Sequence, residues 1–194
     1  MNFDQVAFTD EARFSLCGPD QFMSWQLINE SSAIFRERKA FNGGGILVHG
    51  TLAPYGQLLL LKIDGTLNSQ KYIQILKNVG FTFLETQCGQ NWILQQDNAR
   101  QHIAKSTQSF FQETNTTTIQ WPPYSPDLSL IENVWKIIKD DVYDGPNANS
   151  MDDLWKKVQK YAQNWNDNKR TIFCKMQKKL TERYLDALEE KGCN

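Results

Sequence analysis

The stretch ILQQDNARQH, residues 93–102, decides how this chain is read. Its apolar and amide run has strand character, and then breaks at Asp97-Asn98, two residues that close strands and open turns. An aspartate at that point is either a turn residue or a carboxylate placed where the carboxyl ends of α/β strands collect ligands. The flanks argue for alternation of strand and helix. Before it, DGTLNSQKYIQILKNVGFTFLE (64–85) brings Tyr72, Ile75, Leu76, Val79 and Phe83 near helical spacing, behind a cap at Asn68 or Ser69. After it, Ile103, Thr107, Phe110 and Phe111 mark a second helix. Further upstream, VAFTDEARFSL (6–16) reads as a strand ending near Asp10, a turn and a second strand, which would deliver Asp10 to the sheet edge. Residues 46–52 and 57–63 form a predicted hairpin around APYG.

Downstream, TTTIQW (116–121) suggests a short strand and PPYSPD (122–127) a stiff loop. LSLIENVWKIIKDDV then sets Ile131, Val134, Trp135, Ile138 and Val142 on one helical stripe. A capping-box pattern, Ser150 to Asp153, opens a helix through Leu154, Val158, Tyr161 and Trp165. A last helix carries Phe173, Met176, Leu180 and Leu188. The expected architecture is α/β, a mixed sheet flanked by helices.

With 194 residues, 40% hydrophobic and 12% aromatic, the chain has enough apolar material for one domain spanning 1–194 and too little for two large ones. No apolar run reaches membrane-spanning length and the N-terminus lacks signal-peptide order, so the expectation is a soluble, non-secreted protein without a membrane partner. Cys17, Cys88, Cys174 and Cys193 are scattered and His49 and His102 are the only histidines, a poor supply for a zinc site. The cysteines read as reduced intracellular thiols. A net charge of −1 does not advertise nucleic-acid binding, yet from Lys156 to Arg183 nine Lys or Arg face two acids. Such a surplus either meets a phosphate backbone or forms solvated helix faces.

Asp10, Asp97 and Glu132 are the candidate chemical residues. If two strands bring the aspartates together and a helix adds Glu132, three carboxylates converge, and they cannot all stay ionised in a dry pocket without a counter-charge. Mg²⁺, a hard ion held by a few carboxylates plus phosphate oxygens, supplies one, and two such ions about 4 Å apart catalyse in-line displacement at phosphorus. Each acid also has a purely structural reading: Asp10 and Asp97 as turn or cap residues, Glu132 as the return partner of Ser129 in a capping box, and His102 as a helix N-terminal residue without chemistry.

Four blocks break this ambiguity by resemblance. FTDEARFSL (8–16), GGGILVHGTLAPYGQLLLLKIDGTLNSQKYIQIL (43–76), ILQQDNARQH (93–102) and WPPYSPDLSLIENVWKIIK (121–139) resemble, in order, the catalytic domain of mariner-superfamily transposases, on the branch whose third acid is glutamate. The 34 residues between Asp97 and Glu132 agree with that branch. The resemblance implies a ribonuclease H-like fold, with Asp10, Asp97 and Glu132 as the catalytic triad binding two Mg²⁺ or Mn²⁺ ions. It implies cutting of double-stranded DNA at transposon ends and attack of the freed 3′-hydroxyl on a TA target, in a homodimer and in the nucleus.

Asn98 and His102 match the family block and would support Asp97 from behind the ligands. Residues 17–43 correspond to a clamp-like insertion in which Arg36, Arg38 and Lys39 would meet DNA or a second subunit, as Lys156, Lys157 and Lys160 would farther on. His49 stands where the family usually has tryptophan, and Ser129-Leu130 replaces Asn-Pro, with Ser129 still able to cap. Full transposases of this kind carry two helix-turn-helix units ahead of the first acid, whereas Asp10 lies near the start of this chain. Sequence-independent DNA binding is therefore expected. The alternative function is a transposon-derived, non-catalytic module that binds DNA or a protein.

Overall fold

The computed structural model describes residues 3–16, 18, 44–119, 129–144, 146, 148–168 and 170–192, with the side chains of 168, 170 and 184–192 set aside. The clamp-like insertion with Arg36, Arg38 and Lys39, the PPYSPD loop, and the side chain of Leu188 lie outside these residues. Four strands, β1 (Val6–Ser15), β2 (Gly45–Leu52), β3 (Leu58–Ile63) and β4 (Ile93–Gln95), form one sheet in the order β3-β2-β1-β4. The β2–β3 hairpin is antiparallel, β1 runs antiparallel to β2, and β4 joins β1 in parallel. Of the TTTIQW strand, the described residues show a single bridge from Thr118 to Leu94.

The structure corrects the reading of residues 6–16. Instead of a strand, turn and second strand, Val6–Ser15 is one continuous strand, and β1 lies inside the sheet, not at its edge. Asp10 pairs with Gly50 and Glu11 with His49, so both acids sit within the ladder. β4 is the strand that stops, at Phe8↔Gln95, and its end exposes the middle of β1.

Helices cover both faces. On one, α5 (Leu130–Tyr143), α6 (Met151–Asn168) and α7 (Arg170–Gly192) close over Phe8, Phe14, Val48 and Leu52. On the other, α1 (Ser69–Ile75), a π-helical turn (Leu76–Gly80), α2 (Phe81–Cys88), α3 (Arg100–Ile103) and α4 (Lys105–Glu113) follow in sequence. Tyr72, Leu76, Leu84, Phe110 and Phe111 there pack with Ala7, Ala53 and Leu94. Asn68 caps α1, its side chain accepting from the Lys71 amide.

Two predicted stripes shift. The π-helical turn widens the repeat, so the buried face steps Tyr72, Leu76, Gly80, Leu84 and leaves Val79 exposed. The helix after Asp97 breaks at Ala104, which turns Ile103 to solvent. The α5 stripe is as read, with Leu130 added.

Ser129 occupies the N-cap position of α5 without capping it, because its hydroxyl donates to Oε1 of the buried Gln95. A lost cap costs about 0.5–2 kcal/mol. Six buried apolar side chains on α5, each worth about 1.5–3 kcal/mol, outweigh it. Tyr143 ties the far end of α5 to β1, its hydroxyl accepting from the Ser15 amide and donating to the Ser15 carbonyl. The Ser150–Asp153 cap of α6 forms as read, and Asp153 Oδ2 accepts from the Asn149 amide.

At the edge strand β3, Asn166 of α6 imitates a missing neighbour: Oδ1 accepts from the Leu58 amide at 2.8 Å and Nδ2 donates to the Leu58 carbonyl at 2.9 Å. Asn166→Ala is expected to cost about 1–3 kcal/mol by orphaning both groups, read as a lower urea midpoint with unchanged slope.

Candidate active site at the end of the fourth strand

Because side chains alternate along a strand, Asp10 and Glu11 leave β1 on opposite faces. Asp10 turns toward α5, where the indole Nε1–H of Trp135 donates to its Oδ2 at 3.1 Å. Glu132 lies three residues earlier on the same helix, hence on the same side. Asp97 follows the neighbouring strand by two residues. The parallel register Val6↔Ile93, Ala7↔Leu94, Phe8↔Gln95 ends there, and from it the chain runs on toward the level of Asp10.

The charges report the same convergence. Burial, followed by the charge of Glu132 and smaller effects of Glu11 and Asp97, pushes the Asp10 carboxyl up to about 7, against a lowering contact from the Glu11 backbone. Burial and the charge of Asp97 raise Glu132 as well, while Lys139 opposes the rise. The three acids are therefore within electrostatic reach of one another. They do not form a closed cage: among the described residues no three His, Cys, Asp or Glu side chains are gathered tightly enough to enclose an ion.

Asp97 uses its two oxygens differently. Oδ1 accepts the Ala99 amide at 2.9 Å, an Asx turn, and also meets His102 Nδ1 at 2.5 Å. The described residues place no hydrogen bond on Oδ2, and the side chain is 56% exposed. Hydrogen bonding to His102 holds its carboxyl below the usual range against the effect of burial. Glu132 is likewise free of the capping box, since Ser129 bonds elsewhere and the described residues give its carboxylate no hydrogen bond.

Glu11 is the residue that the sequence reading missed. A strand ending near Asp10 made the pair a turn, whereas an unbroken strand sends Glu11 to the opposite face. There Oε1 accepts from Nδ1 of the fully buried His49 at 2.8 Å, and Oε2 accepts from Gln101 Nε2 at 3.2 Å. Nε2 of His102 lies 3.3 Å from Oε2, an ion-pair contact without hydrogen-bond alignment. Burial alone would raise Glu11, yet the two imidazoles prevail and hold it down to about 2. Burial alone would lower His102, yet the carboxylates of Asp97 and Glu11 raise it to about 9.

Thr51 approaches His49 Nε2 at 3.3 Å, so His49 is accommodated as a buried polar partner. Tyr72 closes the floor: its hydroxyl donates to Gln96 Oε1 at 2.7 Å, its ring lies 4.4 Å from that of His102, and burial raises its phenol. Asn98 is exposed beside Asp97. On α6, Lys156 and Lys160 are exposed one turn apart, while Lys157 Nζ is engaged by the Pro146 carbonyl.

A mixed sheet with one acid in the middle of a central strand, a second just beyond the end of the parallel neighbour, and helices on both faces is the ribonuclease H-like arrangement. Residues 5–155 match the family model described as DDE superfamily endonuclease, and the chain belongs to that family, on its mariner-type transposase branch. It is 32% identical over 143 residues to the Tc3 transposase of Caenorhabditis elegans, covering 73% of this chain and 43% of that protein. To the Tcb2 transposase of Caenorhabditis briggsae it is 26% identical over 160 residues, covering 78% and 59%. The chain thus spans about half the length of these curated relatives.

Among solved structures, the mariner Mos1 paired-end complex with Mg superposes with a TM-score of 0.76 at 18% identity, covering 98% of this chain and 56% of that one. The Mos1 transposase catalytic domain with Raltegravir and Mg gives 0.67 at 20% identity, covering 98% and 85%. Both likenesses concern the fold.

His102 gains stability from its carboxylates when protonated. With a folded value of about 9 against 6.5, that gain is complete below about pH 6.5 and lost as pH rises through 9. His102→Gln is therefore expected to lower the unfolding free energy measured in urea at pH 6 by on the order of 3 kcal/mol, with the difference shrinking toward pH 9.5.

Proposed function

We propose that this chain is the catalytic domain of a DNA-transposing enzyme. In this reading it cuts phosphodiesters at transposon ends and transfers the freed 3′-hydroxyl into a TA target, with Asp10, Asp97 and Glu132 as its metal-holding triad. The observation that carries the reading is the DDE superfamily endonuclease match over residues 5–155, joined to the Asp10 carboxylate held by Trp135 on the same helix that bears Glu132. A buried carboxyl next to two others invites a cation, and the donor set consists of hard oxygens. Mg²⁺ and Mn²⁺ keep several waters and complete their shells with substrate phosphate oxygens, so a few carboxylates are enough to hold them. A bound pair of such ions supplies Lewis acidity at phosphorus, favouring both the attacking and the leaving oxygen.

The chain's own residues do the positioning. The Ala99 amide and His102 engage Asp97 Oδ1, keeping Oδ2 for a ligand. Glu11, drawn between His49 and His102, braces that histidine from behind the sheet. Lys156 and Lys160 offer charge to a phosphate backbone, and Lys157, tied to Pro146, contributes less. Arg36, Arg38 and Lys39 would do the same from the clamp-like segment, in a homodimer acting in the nucleus. Among the described residues no helix is long and apolar enough to cross a membrane. No observation favours a purely binding role.

Mn²⁺-dependent nicking of supercoiled plasmid tests the reading. Wild type is expected to nick, and Asp97→Asn and Glu132→Gln to lose activity by roughly two orders of magnitude or more with unchanged circular dichroism. Asparagine at 97 still accepts the Ala99 amide and His102, so the fold survives. Undiminished nicking by purified Asp97→Asn would overturn the assignment.

Binding to duplexes gives a second check. Affinity is expected to be equal for terminal-repeat and scrambled DNA and to fall steeply between 50 and 200 mM salt, on the order of tenfold or more. A strong preference for one sequence would mean that this chain itself reads transposon ends.

A further inference from the structure

We propose that Trp135 is a positioning residue for Asp10, and that Gly50 is the space that allows it. The inference rests on the metal-binding reading of the three acids. Trp135 is 2% exposed, edge-on to Phe14 at 6.1 Å between ring centroids, and its indole N–H ends on Asp10 Oδ2. A buried indole usually finds a partner, but this fold does not enforce it: the buried Trp92 Nε1 has none among the described residues. Trp135 instead directs its one donor to a carboxylate of the central strand.

The bond orients that carboxylate. An indole donor on Oδ2, beside the contact from the Glu11 backbone, sets the plane of Asp10, stabilises its ionised form and leaves it lone pairs for a ligand. It also sets spacing, because Glu132 precedes Trp135 by one helical turn. The same contact that anchors α5 over β1 thereby fixes where Glu132 stands relative to Asp10.

Gly50 faces Asp10 across the ladder and makes the approach possible. A Cβ there would lie 2.6 Å from Cζ2 and 2.8 Å from Cη2 of the Trp135 ring, and 3.1 Å from Ile131 Cδ1. Those distances exclude any side chain while the indole stays in place. Gly50, Trp135 and Asp10 therefore form one device, built from a strand, a helix and a neighbouring strand.

The test uses the whole ¹⁵N-labelled chain and its six tryptophan indole resonances. Trp135→Phe identifies the Trp135 signal by its loss. That signal is expected to shift in Asp10→Asn and, in wild type, on titration with Mg²⁺. In Trp135→Phe and in Gly50→Ala, both checked as folded from the spectrum, the Mg²⁺ dissociation constant read from amides near Asp97 is expected to rise about tenfold or more.

A purely structural tryptophan would lower the melting temperature and leave Mg²⁺ affinity alone. Unchanged affinity in folded Trp135→Phe would overturn the proposal. So would a Trp135 resonance indifferent to Asp10→Asn, a measurement that needs no tryptophan variant beyond the assignment. If Mg²⁺ moves nothing in wild type while Asp10→Asn still shifts Trp135, the metal reading of the triad fails and takes the positioning role with it, although the hydrogen bond stands.

Discussion

The pleat of β1, at the point where β4 ends, is the constraint on which the site depends. Alternation sends Asp10 to one face and Glu11 to the other, and the end of β4 at Gln95 opens the sheet beside them. Both helical layers can then address a carboxylate at the same level of the sheet. Slipping the register by one residue would exchange the two acids, and every partner on either side would be wrong.

The two faces treat their carboxylates in opposite ways. Glu11 is satisfied by His49, His102 and Gln101 and is held ionised, so it serves as a fixed negative charge in the floor. Asp10 is buried among acids, with the Trp135 indole and the Glu11 backbone as its donors, and its carboxyl is pushed up to about 7. Between them His102 passes the order of the floor to Asp97, whose second oxygen stays open.

Helix α5 shows how packing outweighs local signals. Ser129 and Glu132 have the spacing of a capping box, and an isolated helix would use it. In the folded chain the Ser129 hydroxyl goes to Gln95, six apolar side chains hold the helix, and Glu132 is released to the site. The capping box of Ser129 and Glu132 thus gives way to a contact between residues 34 positions apart.

The sequence by itself determined the alternation of strands and helices, the α5 stripe, the hairpin, and the identity of the family through four blocks and a fixed interval. Those features are written in local periodicity and in residue types at short range. It left the continuity of β1 illegible, because an acidic pair inside a strand looks like a turn until both acids have partners. The role of Glu11, the accommodation of His49 and the Trp135–Asp10 bond were hidden for the same reason. Each joins residues distant in the chain, and the free energy that makes a buried charge tolerable comes from partners only the tertiary structure brings within reach.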